Sequence, residues 1–394
     1  MKRTNTARGH AVWAASILLA FGLNSATGRP PQPPPKYTVI DLGTVPGLAN
    51  SMVGYGRPLN NLGQVVGVSY NVHYTDDLPF VWQKGVMTLL PTPPGANAIA
   101  GGQAINEWGQ IVGTVAVGTD YAAAALVGSA WVALPDAEDY EWSNALGINN
   151  RGTICGLVEK VAFTPPWTPD IPVVWRDGTM QALETLKLAE WEKYGSMGDA
   201  YAINDLDQVV GFSGDWWGFD DQGNIIYAPT WHAAFWDNGE VFDLGTLGGP
   251  VSQAYAVNNQ GQAVGWSWTE AFVMKAVLWP RPGATVVLPS LPNKAYSMAK
   301  SINNQGDVVG CSADENIFIS DASYLTAGIR AVLWKDGAVY DLNTFMPAGS
   351  EYVLYHPSAI NARGQIVVEG WNGSHRRLFL LQPQPFPAST PVED

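Results

Sequence analysis

From residue 37 onward the chain alternates apolar and polar positions in short runs, and clusters of Asn, Gly and Asp interrupt the runs at regular intervals. The clearest passage is Ser252-Gln253-Ala254-Tyr255-Ala256-Val257, then Asn258-Asn259-Gln260-Gly261, then Gln262-Ala263-Val264-Gly265. It reads as strand, turn, strand. Asn at the first and Gly at the fourth place suit a type I turn, and the Gly can take positive φ, which closes a hairpin with a bulge. Degenerate copies place the lead Asn at 60, 106, 149, 204, 258, 303 and 361, at spacings of 43 to 58 residues. Asp207 stands where the fourth copy should carry Gly, and Asp tolerates the left-handed region better than most residues.

Each copy continues with two further strands. One ends in Trp at 82, 175, 236, 279 and 334; a Gly-containing turn follows, then a strand ending near Asp-Leu, as at Asp243-Leu244 and Asp341-Leu342. We label the four strands A to D. Four strands repeated seven times predict an all-β fold, a seven-bladed β-propeller of four-stranded antiparallel blades. The chain opens with a lone D-type strand, Tyr37 to Leu42, and its last copy lacks one. The N-terminal strand is therefore expected to close the last blade and remove its open edge. Small residues six places before the lead Asn (Gly54, Ala100, Ser143, Gly198, Ser252, Ser297) fit strands crowded near an axis; Tyr355 departs from this in the last copy. The recurrent Trp residues read as core or inter-blade packing.

The Asn-Asn-x-Gly-Gln-x-Val-Gly units, Asp243-Leu244-Gly245-Thr246-Leu247-Gly248-Gly249, His232-Ala233-Ala234-Phe235-Trp236 and the ending from Asp341 through Ser350 together resemble the HAF-type extracellular repeat of bacteria. The resemblance spans roughly residues 37 to 383. It implies secretion and repetition, and carries no defined activity and no site residues.

Residues 1–26 have the pattern of a secretory signal peptide: Lys2, Arg3 and Arg8, an apolar stretch from Ala11 to Leu23, and a small-residue cleavage site at Ser25-Ala26. An uncleaved anchor is the other reading. Residues 27–36 form a Pro-rich spacer, 37–383 the propeller, and 384–394 a tail expected to be disordered. The location expected is extracellular or periplasmic. Formal charge is −14 without basic runs, which argues against nucleic acid and anionic membranes as partners. No membrane span is expected once the signal is removed, and a monomer is expected. Cys155 and Cys311 fall on B strands of distant blades, so two separate buried thiols are expected rather than a disulfide.

The strand order puts the short A–B and C–D turns on one face and the longer, unequal B–C and D–A loops on the other. Loop variation on a rigid scaffold is a common seat of function, so a site is expected on the second face. The richest insertion there carries Trp216, Trp217, Asp220 and Asp221, with Tyr140, Trp142 and Trp191 in nearby loops. Aromatic faces beside carboxylates suit sugars; the alternative is a hairpin extension that covers its own blade. Asp215, Asp220 and Asp221 are calcium candidates, against a solvated acidic loop, and no other cofactor is indicated. No Gly-x-Ser-x-Gly, paired-His metal motif or phosphate-cradling loop is present. The expected function is a secreted, non-catalytic binding protein for a glycan or extracellular protein. A carbohydrate-active hydrolase or lyase using loop carboxylates, and a structural or adhesive surface component, are the alternatives.

Overall fold

The computed structural model describes residues 34–54, 56–71, 77–91, 102–117, 120–135, 140–159, 170–188, 196–215, 218–219, 225–227, 230–315 and 328–385. Among the described residues the strands group into seven four-stranded antiparallel units in the order A-B-C-D, with one further two-stranded pair, Gly218–Phe219 and Ile225–Tyr227. Blade 5 is representative: Gly248–Val257, Ala263–Thr269, Met274–Arg281 and Ala284–Val287. Single parallel bridges, Trp142 to Tyr121 and Trp231 to Val251, link blade 2 to 3 and blade 4 to 5. Tyr37–Asp41 pairs antiparallel with Arg376–Pro383, from Tyr37 opposite Pro383 to Asp41 opposite Phe379, and supplies the fourth strand of the last blade. Among the described residues the one helical element is a 3-10 turn, Leu342–Phe345, and no helix is long and apolar enough to cross a membrane.

The apolar core lies between blades, because each sheet buries a face against its neighbours. One cluster joins Ala104, Val112 and Ala123 of blade 2 to Ala145, Ile154, Val173 and Trp175 of blade 3. Another joins Leu59, Val65, Phe80 and Trp82 of blade 1 to Val367, Leu378 and Leu380 of blade 7, so the packing closes on itself. The recurrent Trp residues serve this core, at 5% exposure or less. Trp175, Trp236 and Trp334 each also donate Nε1–H to a carbonyl of the preceding blade's exit segment, at Pro135, Glu184 and Pro289, over 2.6–2.7 Å. Blade 2 lacks the C-strand Trp, and Trp131 on its D strand makes the same bond to Pro91. Cys155 and Cys311 are free, buried thiols.

The Asn turn explains its own recurrence. Each lead Asn side-chain oxygen accepts the N–H groups two and four residues later, as Asn258 does from Gln260 and Gln262 at 3.0 Å. Its amide donates to the side chain four residues on, as Asn258 to Gln262 Oε1 at 2.8 Å. The same amide donates to the carbonyl of the next blade's lead Asn. These inter-blade bonds run 60→106→149→204→258→303→361→60, each 2.8–3.2 Å, a ring closed across the chain ends. A second set links the following positions: backbone N–H groups at 61, 107, 150, 205, 259 and 362 donate to the side chains of Glu107, Asn150, Asp205, Asn259, Asn304 and Asn61, at 2.7–3.0 Å. The missing step leads to Ala362, which has no acceptor.

Two irregular copies compensate each other. Copy 3 has Thr153 where the amide of Asn149 should find Gln. Its partner is instead Asp207 Oδ1 of copy 4, at 2.7 Å, the very residue that replaces Gly there. Asp207 sits at φ 64, as its position in the turn requires.

Candidate functional site

The A strands line the axis, and a β-bulge decides which of their side chains face it. In blade 5 Ala254 pairs with Gly265 and Ala256 with Val264, which leaves Tyr255 as the extra residue. The same irregularity singles out Gln103, Leu146, Tyr201, Lys300 and Ser358. All stand three places before a lead Asn. An extra residue in one strand re-aims its side chain. The bulge has room because the facing B-strand residue in most blades is the Gly of the Val-Gly pair. A Cβ at Gly211, Gly265 or Gly310 would collide with the carbonyl of Asp199, Gln253 or Met298 respectively.

An axial cavity of about 840 Å³ results. All of the bulge residues except Leu146 line it, with Arg57 at the equivalent place in blade 1. It reaches the face of short turns, where Asn61, Glu107, Asn150 and Asp205 contribute, and extends inward to Met298, Tyr355, His356, Glu369 and Arg376. This is not the region that loop variation indicates. Among the described residues, the wall consists of A strands, A–B turns and two residues of blade 7's B and C strands.

The chemistry differs between the two ends. At the turn end, Arg57 lies 3.4 Å from Glu107. Burial opposes ionisation of Asp205. Hydrogen bonds from the backbone and side chain of Asn150 and from Asn259, with Arg57 nearby, outweigh it and hold the carboxyl below its ordinary range. At the inner end, Tyr255 is fixed by donating to Gln253 Oε1 at 3.0 Å and accepting from Trp266 Nε1 at 3.2 Å, and its ring centroid lies 5.4 Å from that of Tyr201. Lys300 Nζ stands 3.9 Å over the Tyr255 ring centroid, and burial pulls its proton affinity down to about 8. Burial, with Lys300 and Arg376 nearby, lowers His356 to about 3, so it is a neutral imidazole. Tyr355, which occupies the small-residue position, donates to Glu369 Oε2 at 2.7 Å; burial pushes the Glu369 carboxyl upward. Ser358 Oγ on the same wall has no hydrogen-bond partner.

A separate carboxylate group lies behind this wall. Tyr201 hydrogen-bonds to Asp199, which burial first and Asp170 second push up to about 8; Asp170 is pushed up to about 7 by burial and by Glu159. Asp199 Oδ1 is buried without a partner.

Of the site residues proposed from sequence, Tyr140, Trp142 and Asp215 are described, and none of the three lines the cavity. Tyr140 packs against the core between blades 2 and 3, and Trp142, 38% exposed, meets Tyr121 edge-on at 5.1 Å. Asp215 is buried at the end of its B strand. Trp191, Trp216, Trp217, Asp220 and Asp221 lie outside the described residues. Among the described residues no group of three or more His, Cys, Asp or Glu side chains is arranged to hold a metal ion. The signal that marks the axial residues is present in the sequence: varied and, Leu146 apart, polar or aromatic residues at one place in an otherwise regular repeat.

No protein-family model matches the chain, and no curated protein matches it. Solved structures do. The β-propeller domain of the Trilobed protease from Pyrococcus furiosus, described as having an open Velcro topology, aligns over 85% of this chain and 97% of its own, at 13% identity and a TM-score of 0.52. The fold is a β-propeller. An acylaminoacyl peptidase in complex with Z-Gly-Gly-Phe-chloromethyl ketone aligns over 86% of this chain at 15% identity and a TM-score of 0.49, and the propeller described here spans 52% of that protein. The open topology of the Pyrococcus domain contrasts with this propeller, whose first strand pairs with its last.

Proposed function

We propose that this propeller is a secreted, non-catalytic binding protein that takes a hydroxyl-rich ligand, a glycan, in its axial cavity. The observation that carries the reading is the composition of the bulge positions. The repeat keeps Asn in every copy and Gly and Trp in most, where they build the scaffold, yet at the bulge position it sets Arg57, Gln103, Tyr201, Tyr255, Lys300 and Ser358 on the cavity wall, with Leu146 the one member off it. Uniform packing needs no such variety. Aromatic faces with mixed donors and acceptors in a cavity of this size are what a small polar ligand requires. Secretion is supported by the leader-like pattern of residues 1–26 and by the resemblance to extracellular repeats.

The test is a glycan array and polysaccharide pull-down with the mature protein, with calcium and with chelator. Binding should persist in a Trp216→Ala, Trp217→Ala variant and fall at least tenfold in a folded Tyr201→Ala, Tyr255→Ala variant. The opposite pattern would move the site to the variable-loop face. A second reading, a carbohydrate-active enzyme, draws on the raised carboxyls of Asp170 and Asp199, since a protonated acid near neutral pH is what general-acid catalysis needs. Reducing ends that accumulate with wild type and not with Asp199→Asn would favour it.

A further inference from the structure

We infer that the ligand of the axial cavity is anionic, an oligosaccharide bearing a carboxylate, and that the Lys300 ammonium is its counter-ion. The inference rests on the axial-binding reading above and narrows it.

Lys300 is the extra residue of its bulge, between Ala299 and Ser301, so its side chain is delivered to the cavity wall. Its Nζ rests over the Tyr255 ring, and among the described residues no carboxylate or carbonyl takes it in an ion pair or hydrogen bond. Peripheral lysines differ: Lys294 holds Asp314 at 2.8 Å and Lys335 holds Asp307 at 2.7 Å. An ammonium partly withdrawn from water with no anion beside it is costly, and a chain that only needed to fill this place could use an apolar residue.

The nearby acids are already committed. Glu107 accepts from Asn61 and faces Arg57. Asp205 accepts from Asn150 and Asn259. Glu369 accepts the Tyr355 hydroxyl, and its burial favours the neutral form. The inner end thus presents two cations, Lys300 and Arg376, against one carboxyl, with His356 held uncharged by the same pair. A carboxylate entering here gains a charge-assisted contact in a confined space. The cavity is far larger than a simple ion, and Tyr201 and Tyr255 provide ring surface for the sugar that carries the charge.

The experiment is an array of uronate-containing, sialylated and neutral oligosaccharides, with methyl-esterified uronates as controls, probed with wild type and with Lys300→Met. Wild type should bind acidic sugars and bind the esters at least tenfold more weakly. Lys300→Met should lose acidic binding by a similar factor while its melting temperature is kept or raised, since an unpaired cation has been removed. Equal binding of acids and esters, or acidic binding unchanged in Lys300→Met, would overturn the inference. Binding confined to neutral sugars would overturn it and leave the axial glycan reading standing. No binding to any printed glycan would remove both. The ester comparison uses wild type alone, so it decides the matter even if the variant does not fold.

Discussion

A single asparagine side chain does four things in each repeat: it accepts two backbone N–H groups, anchors the residue four places on, and donates to the next blade. Such groups are buried, so an unmatched donor costs about 1–3 kcal/mol. The exception at Asn149 makes this testable. Asp207→Gly removes the acceptor of the Asn149 amide and should destabilise the protein where residue 153 is Thr. With Thr153→Gln already in place the same change should cost less, since Gln restores the local acceptor and Gly relieves the positive φ. Denaturant titrations of the four species should give a coupling of about 1 kcal/mol; additivity would mean that the two irregular copies are unrelated. Asp199 offers a second test. Its proton affinity is raised to about 8 on folding, chiefly by burial. The native state therefore binds more protons, and the stability it lends is full below pH ~4 and lost as pH rises toward ~8. Asp199→Asn should flatten the decline in melting temperature between pH 5 and 8.5 and raise it at pH 8.5. A variant that tracks wild type at both values would show that Asp199 titrates normally.

At the level of elements, strand, turn and blade order are all readable from the chain, because the Asn-x-x-Gly turn is a local signal and the closing pair follows from counting, one spare D-type strand at the start and one missing from the last copy. Tyr37–Asp41 pairs where the missing D strand requires. The bulge is not legible in the sequence. A period-2 pattern cannot register one extra residue, and Tyr255 or Lys300 between two small residues looks like an ordinary alternation. The Gly opposite the bulge in most blades reads as part of a motif, and its reason is steric: a side chain at Gly211, Gly265 or Gly310 would strike the facing carbonyl. Gly265→Ala should therefore cost well above the usual ~1 kcal/mol of a surface strand change, and should displace Tyr255. Loss of the Tyr255 contribution to ligand binding together with a lowered melting temperature is expected. A neutral Gly265→Ala would mean that the bulge can shift freely and that it does not position the site.

For the molecule as a whole, seven inter-blade Asn bonds and a continuous series of inter-blade cores close one ring, and the cavity is what that closure leaves on the axis. The sequence points to the face of unequal loops, since length variation is visible in a chain and convergence of six distant residues is not. The central claim is that ligand occupies the axis. Methionine methyl NMR tests it directly, because Met52 and Met298 line the cavity while Met180 packs against the core between blades 2 and 3. Titration of the 13C-methyl-labelled protein with a glycan that binds on the array should shift the Met52 and Met298 resonances and leave that of Met180 in place. Saturable binding that leaves Met52 and Met298 unmoved would contradict the account.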